Sequence, residues 1–158
     1  MNRIVFILLM IISSAVYAQK ASVIKITDFE QRIKNNSDTT YILNFWATWC
    51  APCVKELPYF DSINTVYKNR NVKVILISMD FKEDLNSKLL PFISKKNIKS
   101  EVCLLDEMNG NYFIPKVAEQ WSGAIPATLI VNNKYGVRHF FEKSLTYEFL
   151  KSEIDSIK

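Results

Sequence analysis

Trp49-Cys50-Ala51-Pro52-Cys53 sets two thiols two residues apart, a spacing at which a disulfide can open and close reversibly. Upstream, Tyr41-Ile42-Leu43-Asn44-Phe45-Trp46 reads as a buried strand, and downstream Leu57, Phe60, Ile63 and Tyr67 recur at helical spacing. The pair therefore falls where a strand hands over to a helix. Unpaired N–H groups and the positive end of the helix dipole favour a thiolate there over a neutral thiol. Cys50, ahead of the helix, is expected to be the partly exposed nucleophile. Cys53, inside the first turn, is expected to be the shielded resolving thiol. Pro52 suits a helix start, because an N–H in the first turn has no intrahelical acceptor to lose.

Working outward, Ala21 to Ile26 reads as a short strand and Asp28 to Lys34 as a helix, with Phe29 and Ile33 on one face and Thr27 or Asp28 as cap. The runs Tyr41 to Trp46 and Val72 to Met79 have the near-continuous apolar pattern of parallel strands covered on both faces. A helix from Pro52 to about Lys68 joins them into a βαβ unit, with the thiols at the carboxyl end of its first strand, where α/β sheets place their sites. Between Phe81 and Asn97 the pattern is helical, but Pro91 leaves open whether one helix or two form. Glu101 to Asp106 reads as a strand, and Tyr112 to Trp121 as a helix introduced by Asn109-Gly110-Asn111. Strands Ala127 to Val131 and Val137 to Phe141 flank the turn-forming Asn132 to Gly136, at hairpin distance. Tyr147, Leu150, Ile154 and Ile157 give a closing helix one apolar face.

The N-terminal stretch and the overall charge add further constraints. Asn2 and Arg3, the apolar run Ile4 to Ile12 and the small residues Val16 and Ala18 form a secretory signal pattern. Cleavage after residue 18 would leave residues 19–158 as one compact domain beginning at Gln19. An uncleaved anchor is the competing reading, but the run is well short of the roughly 20 apolar residues that span a bilayer. Export to an oxidising compartment allows Cys50–Cys53 to be a structural staple, yet so short a loop removes little unfolded-state entropy. Zinc would need two more ligands, and Cys103 and the single histidine, His139, are poorly placed to supply them. The formal charge of +4 falls to +3 without Arg3. Lys88, Lys95, Lys96 and Lys99 read as a solvated face rather than a nucleic-acid site.

Against that background the chain resembles the thioredoxin superfamily, and within it the exported TlpA/ResA-like thiol–disulfide oxidoreductases. Asn44 through Cys53 is similar to the active-site block, Glu56 and Pro58 to its Cys-x-x-Glu-x-Pro continuation, and Gly123-Ala124-Ile125-Pro126-Ala127-Thr128 to the cis-proline segment. The resemblance implies an α/β thioredoxin-like fold: a central mixed sheet flanked by helices, with a strand and helix inserted before Pro126. It also implies that Ile125 and Pro126, with Trp49, Ala51 and Pro52, line the substrate groove. Trp46 is expected in the core and Trp49 on the surface. Asn44 stands where cytoplasmic thioredoxins carry a buried Asp, so the proton-handling carboxylate is expected from Glu56, one helical turn beyond Cys53; an ordinary exposed glutamate is the alternative. Cys103 lies in the inserted strand, either buried and inert or available as a further resolving or intermolecular thiol.

The implied activity is reduction of disulfides in envelope proteins, apocytochrome c included, by a monomer that a membrane electron-transfer protein recharges. No cofactor is expected beyond the Cys50–Cys53 disulfide. Residue types alone leave the redox direction open, since a helix N-terminus lowers a thiol pKa while a nearby Glu56 raises it. Two other classes share the fold. A Sco-like copper carrier would need wider cysteine spacing and a nearby histidine. A peroxide-reducing enzyme would place its cysteine after a threonine-bearing motif.

Overall fold

The computed structural model describes residues 20–34 and 38–157, so the expected leader, with its cleavage point, lies outside the described residues. Six strands form one sheet: β1 (Ala21–Ile24), β2 (Thr40–Trp46), β3 (Val72–Ser78), β4 (Glu101–Leu105), β5 (Ala127–Asn132) and β6 (Val137–Phe141), in the order β1-β4-β3-β2-β5-β6. The first four in that order run parallel, β5 is antiparallel to β2, and β6 is antiparallel to β5. Among the described residues five α-helices cover the sheet: α1 (Ile26–Lys34), α2 (Ala51–Val66), α3 (Leu90–Lys96), α4 (Gly110–Val117) and α5 (Tyr147–Asp155). This is the expected thioredoxin-like fold, with the extra strand β4 inserted between β1 and β3.

The long apolar runs have their cause in two cores. On one face, Ile42 and Trp46 of β2 pack with Leu57, Phe60 and Ile63 of α2, Ile93 of α3 and Leu150 of α5. On the other, Leu43 and Phe45 meet Phe29 of α1 and Phe113 of α4. Strands buried on both sides cannot alternate apolar with polar residues. Asn44 shares the α2 face of β2 with Ile42 and Trp46 by strand alternation.

Several element ends differ from the sequence reading. Helix α1 starts at Ile26, two residues early, and β1 stops at Ile24. The reason is Asp28, which is not a cap residue itself: from inside the first turn its carboxylate accepts the Lys25 N–H at 2.9 Å, the reverse bond of a capping box. Around Pro91 the chain forms neither one helix nor two α-helices. A 3₁₀ turn over Lys82–Asp84 and a wide π turn over Leu85–Leu89 lead into α3. Pro91 sits in the first turn of α3, where its missing N–H costs little but prevents α-type bonding from extending upstream. Helix α4 runs from Gly110 and ends at Val117, four residues short of Trp121. Helix α2 begins at Ala51 and ends at Val66 rather than near Lys68. Among the described residues no helix is long and apolar enough to cross a membrane.

Candidate active site

The chain turns sharply between β2 and α2. The Cys50 N–H closes a turn onto the Ala47 carbonyl at 3.1 Å, and Asp80, 3 % exposed and two residues beyond β3, fastens it. Asp80 accepts the Thr48 N–H at 3.0 Å, the Thr48 hydroxyl at 2.6 Å and the Ser78 hydroxyl at 2.8 Å. The sequence reading missed Asp80. Its signal was there: an acid directly following an apolar parallel strand, at the sheet's carboxyl edge.

Cys50 is the N-cap of α2, and its sulfur accepts the Cys53 N–H at 3.4 Å. The two cysteines are joined as a disulfide. Cys53 is fully buried and Cys50 is 6 % exposed, so the asymmetry is as expected but the outer sulfur is less open than anticipated. The cover comes from the segment before β5: the Ile125 carbonyl oxygen lies 3.8 Å from Cys50 Sγ, and Ile125–Pro126 is a cis peptide. Ala51 and Pro52 are exposed beside the disulfide and Pro126 is buried. Trp49 is 66 % exposed, whereas Trp46 is wholly buried and packs on Phe92 with ring centroids 5.5 Å apart.

Behind the disulfide lies Glu56, 2 % exposed and so not an ordinary surface glutamate. One of its oxygens accepts the Asn44 side-chain amide at 2.8 Å and the other the Leu145 N–H at 2.7 Å. Asn44 also donates to the Thr128 hydroxyl at 3.2 Å, while its own Oδ1 is buried with no partner. Burial pushes the Glu56 carboxyl above its ordinary value, and the Leu145 and Asn44 hydrogen bonds oppose that rise. A carboxyl so placed can hold or release a proton inside the fold, three residues along the helix from Cys53. Asn44 and Leu145 are the neighbours that sequence reasoning did not connect to it.

The model of the AhpC/TSA family matches residues 18–140. The protein belongs to the AhpC/TSA family. The thiol–disulfide oxidoreductase ResA of Geobacillus thermodenitrificans is 24 % identical over 131 residues, spanning 82 % of this chain and 69 % of that protein. Among solved structures, StoA from Bacillus subtilis is similar with a TM-score of 0.57 and 26 % identity, over 75 % of this chain and 84 % of its own. A thioredoxin-related protein from Neisseria meningitidis serogroup B superposes with a TM-score of 0.64 at 22 % identity, over the same shares. This AhpC/TSA-family chain is a thiol–disulfide oxidoreductase of the thioredoxin superfamily, with Cys50 and Cys53 as its disulfide pair.

The remaining candidates of the AhpC/TSA-family chain lie elsewhere. Cys103 is a buried free thiol on the opposite face of the sheet from the disulfide, 3.2 Å from the Ser22 hydroxyl. Burial pushes its pKa up, which keeps it protonated and a poor nucleophile. His139 pairs with Glu153 at 2.8 Å on the outside of β6.

Proposed function

We propose that this protein is an exported reductant of disulfides in cell-envelope proteins, with Cys50 as nucleophile and Cys53 as resolving thiol. The observation that carries the reading is the position of Cys50: at the N-cap of α2, accepting a helix N–H, with the Ile125 backbone across from it and Cys53 sealed behind. The N–H and the helix dipole stabilise the Cys50 thiolate. That thiolate attacks one sulfur of a substrate disulfide, forming a mixed disulfide and expelling the other substrate sulfur as a thiolate. Cys53 then loses its proton and attacks Cys50 Sγ, which releases the second substrate thiolate and closes Cys50–Cys53. Two electrons pass to the substrate, and its thiolates take up two protons.

Glu56 serves as the internal proton acceptor for Cys53, being a buried carboxyl with a raised pKa one turn along the same helix. Trp49, Ala51, Pro52 and Ile125 form the rim against which a substrate chain docks, and the buried Pro126 directs the Ile125 backbone toward it. The leader directs export, and a membrane dithiol protein returns the pair to its reduced form as the monomer cycles. Apocytochrome c and other envelope proteins with accessible cystines are the substrates this reading favours.

Trapping and potentiometry test it together. A Cys53→Ala variant should hold envelope proteins as mixed disulfides at Cys50, and the reduction potential of the native pair should lie nearer the thioredoxin value of about −270 mV than the oxidant value of about −120 mV. A potential at the oxidant end would reverse the direction, and no captured envelope protein would sink the assignment.

A further inference from the structure

Glu142 directly follows β6 and is exposed, yet it gathers three donors from the turn that leads to the active site. Antiparallel pairing sets Phe141 opposite Thr128. The chain leaving β6 therefore runs alongside the chain entering β5, and Glu142 meets the turn over residues 122–124. One carboxylate oxygen accepts the Ser122 N–H at 3.2 Å. The other accepts the Ala124 N–H at 3.1 Å together with the Ser122 hydroxyl. From the opposite side the Trp121 indole donates to the Ala124 carbonyl at 2.8 Å. Its ring is wedged against Phe45, at 4.8 Å between centroids, and against Phe140 at 5.9 Å. The next residue is Ile125, whose carbonyl faces Cys50.

This turn needs external fastening. Gly123 sits at φ +93°, in the region open chiefly to glycine, where an added Cβ would come within 2.9 Å of Ile114. The glycine that permits the turn also leaves it conformationally free when nothing holds it. An ionised carboxylate suits the task, since it only accepts and has lone pairs for all three donors. The Ser122 hydroxyl, with the two amides, holds the Glu142 carboxyl below its ordinary value, so it is charged at neutral pH. Three residues onward the same strap supplies the Leu145 N–H to Glu56. The stretch from Glu142 to Leu145 thus touches the site from both sides: the backbone in front of Cys50 and the carboxyl behind Cys53.

We propose that Glu142 is a positioning residue for exchange with polypeptide disulfides: by fastening Ser122 and Ala124 it holds the Ile125 backbone where an incoming chain pairs with it beside Cys50. The inference rests on the dithiol function proposed above. A small disulfide needs only the Cys50 sulfur. A polypeptide also needs ordered backbone partners, because ordering them during binding costs affinity. Loss of Glu142 should therefore separate the two kinds of substrate.

The test uses the reduced full-length protein with two probes, a short synthetic peptide closed by an internal disulfide and a small aromatic disulfide. Glu142→Ala, which removes all three bonds, is expected to lower kcat/KM for the peptide about tenfold, chiefly through KM, because the freed turn must then be ordered as the peptide binds. Its rate with the small disulfide and its reduction potential should stay at wild-type values. Glu142→Gln keeps one accepting oxygen but turns an amide N–H toward a donor, so it should recover part of the peptide activity. Ser122→Ala, lacking one of the three bonds, should also fall between. Equal peptide kinetics in Glu142→Ala and wild type, or the same loss on both probes, would overturn the proposal. If Glu142→Ala does not fold, a peptide-selective loss in Glu142→Gln and Ser122→Ala supports it and its absence overturns it. Failure of the wild type to reduce the peptide would strike the dithiol function itself, and this inference with it.

Discussion

Glu56 shows how much one buried carboxyl changes. Its folded-state pKa lies above the ordinary value of 4.5. Between those two values the native protein holds a proton that the unfolded chain has already released, so stability falls as pH climbs through the window. In Glu56→Gln that contribution is gone, and the amide can donate to the unpartnered Asn44 Oδ1 once the Asn44 side chain turns over. Urea unfolding of variant and wild type at pH 5 and pH 8 should show the difference growing in the variant's favour at the higher pH. Parallel pH profiles would remove Glu56 from the titration. The two tryptophans make a second contrast: Trp46 is wholly buried and Trp49 mostly exposed. Trp46→Ala should cost about 3–5 kcal/mol of unfolding free energy. Trp49→Ala should change it by less than about 0.5 kcal/mol while slowing reduction of protein disulfides. A large stability loss in the second would mean that Trp49 is structural.

At the scale of elements, α5 carries more than its length suggests. It packs on α2 through Leu150 and Ile154, its Asp155 accepts the Tyr67 hydroxyl at 3.0 Å, and the residue before its cap donates to Glu56. Thr146 caps it by accepting the Phe149 N–H at 3.2 Å. Thr146→Ala should lower stability by about 1 kcal/mol in a denaturant titration, and Thr146→Ser should restore most of it. Identical midpoints for all three proteins would show that the cap is dispensable. Most strands and helices were legible, because β2 and β3 are nearly continuous apolar runs, with Asn44 and Lys73 as the polar residues within them, and α5 repeats its apolar residues at three and four. Ends were less legible. The start of α1 depends on a carboxylate bonding backwards to Lys25, and the π turn before α3 depends on where Pro91 falls within a turn. Neither leaves a trace in apolar spacing.

For the whole molecule, the sheet is a partition. The disulfide belongs to the core beneath α2, α3 and α5, and Cys103 to the core beneath α1 and α4. Cys103→Ala should therefore leave the reduction potential and turnover of Cys50–Cys53 unchanged and cost about 1 kcal/mol of stability for a small buried side chain. In the native wild-type protein Cys103 should react with an alkylating reagent only at the rate of unfolding. Rapid labelling of Cys103 in the folded state would refute that separation. Surface ion pairs such as Lys82 with Asp106 and Lys88 with Asp84, by contrast, cancel in net charge and contribute little individually.

What the sequence determined alone is local: two thiols at a strand-to-helix junction, a proline suited to the first turn, and a βαβ unit around them. Spacing along the chain suffices for these, since each depends on residues within a few turns of one another. The tertiary structure decided the rest. Glu56 became buried because Leu145, 89 residues away, and Asn44 on the neighbouring strand close over it. Cys50 became narrowly covered because Ile125, 75 residues distant, arrives across it. Hydrogen-bond partners so remote in sequence are set by strand order and register, and only the assembled sheet supplies those.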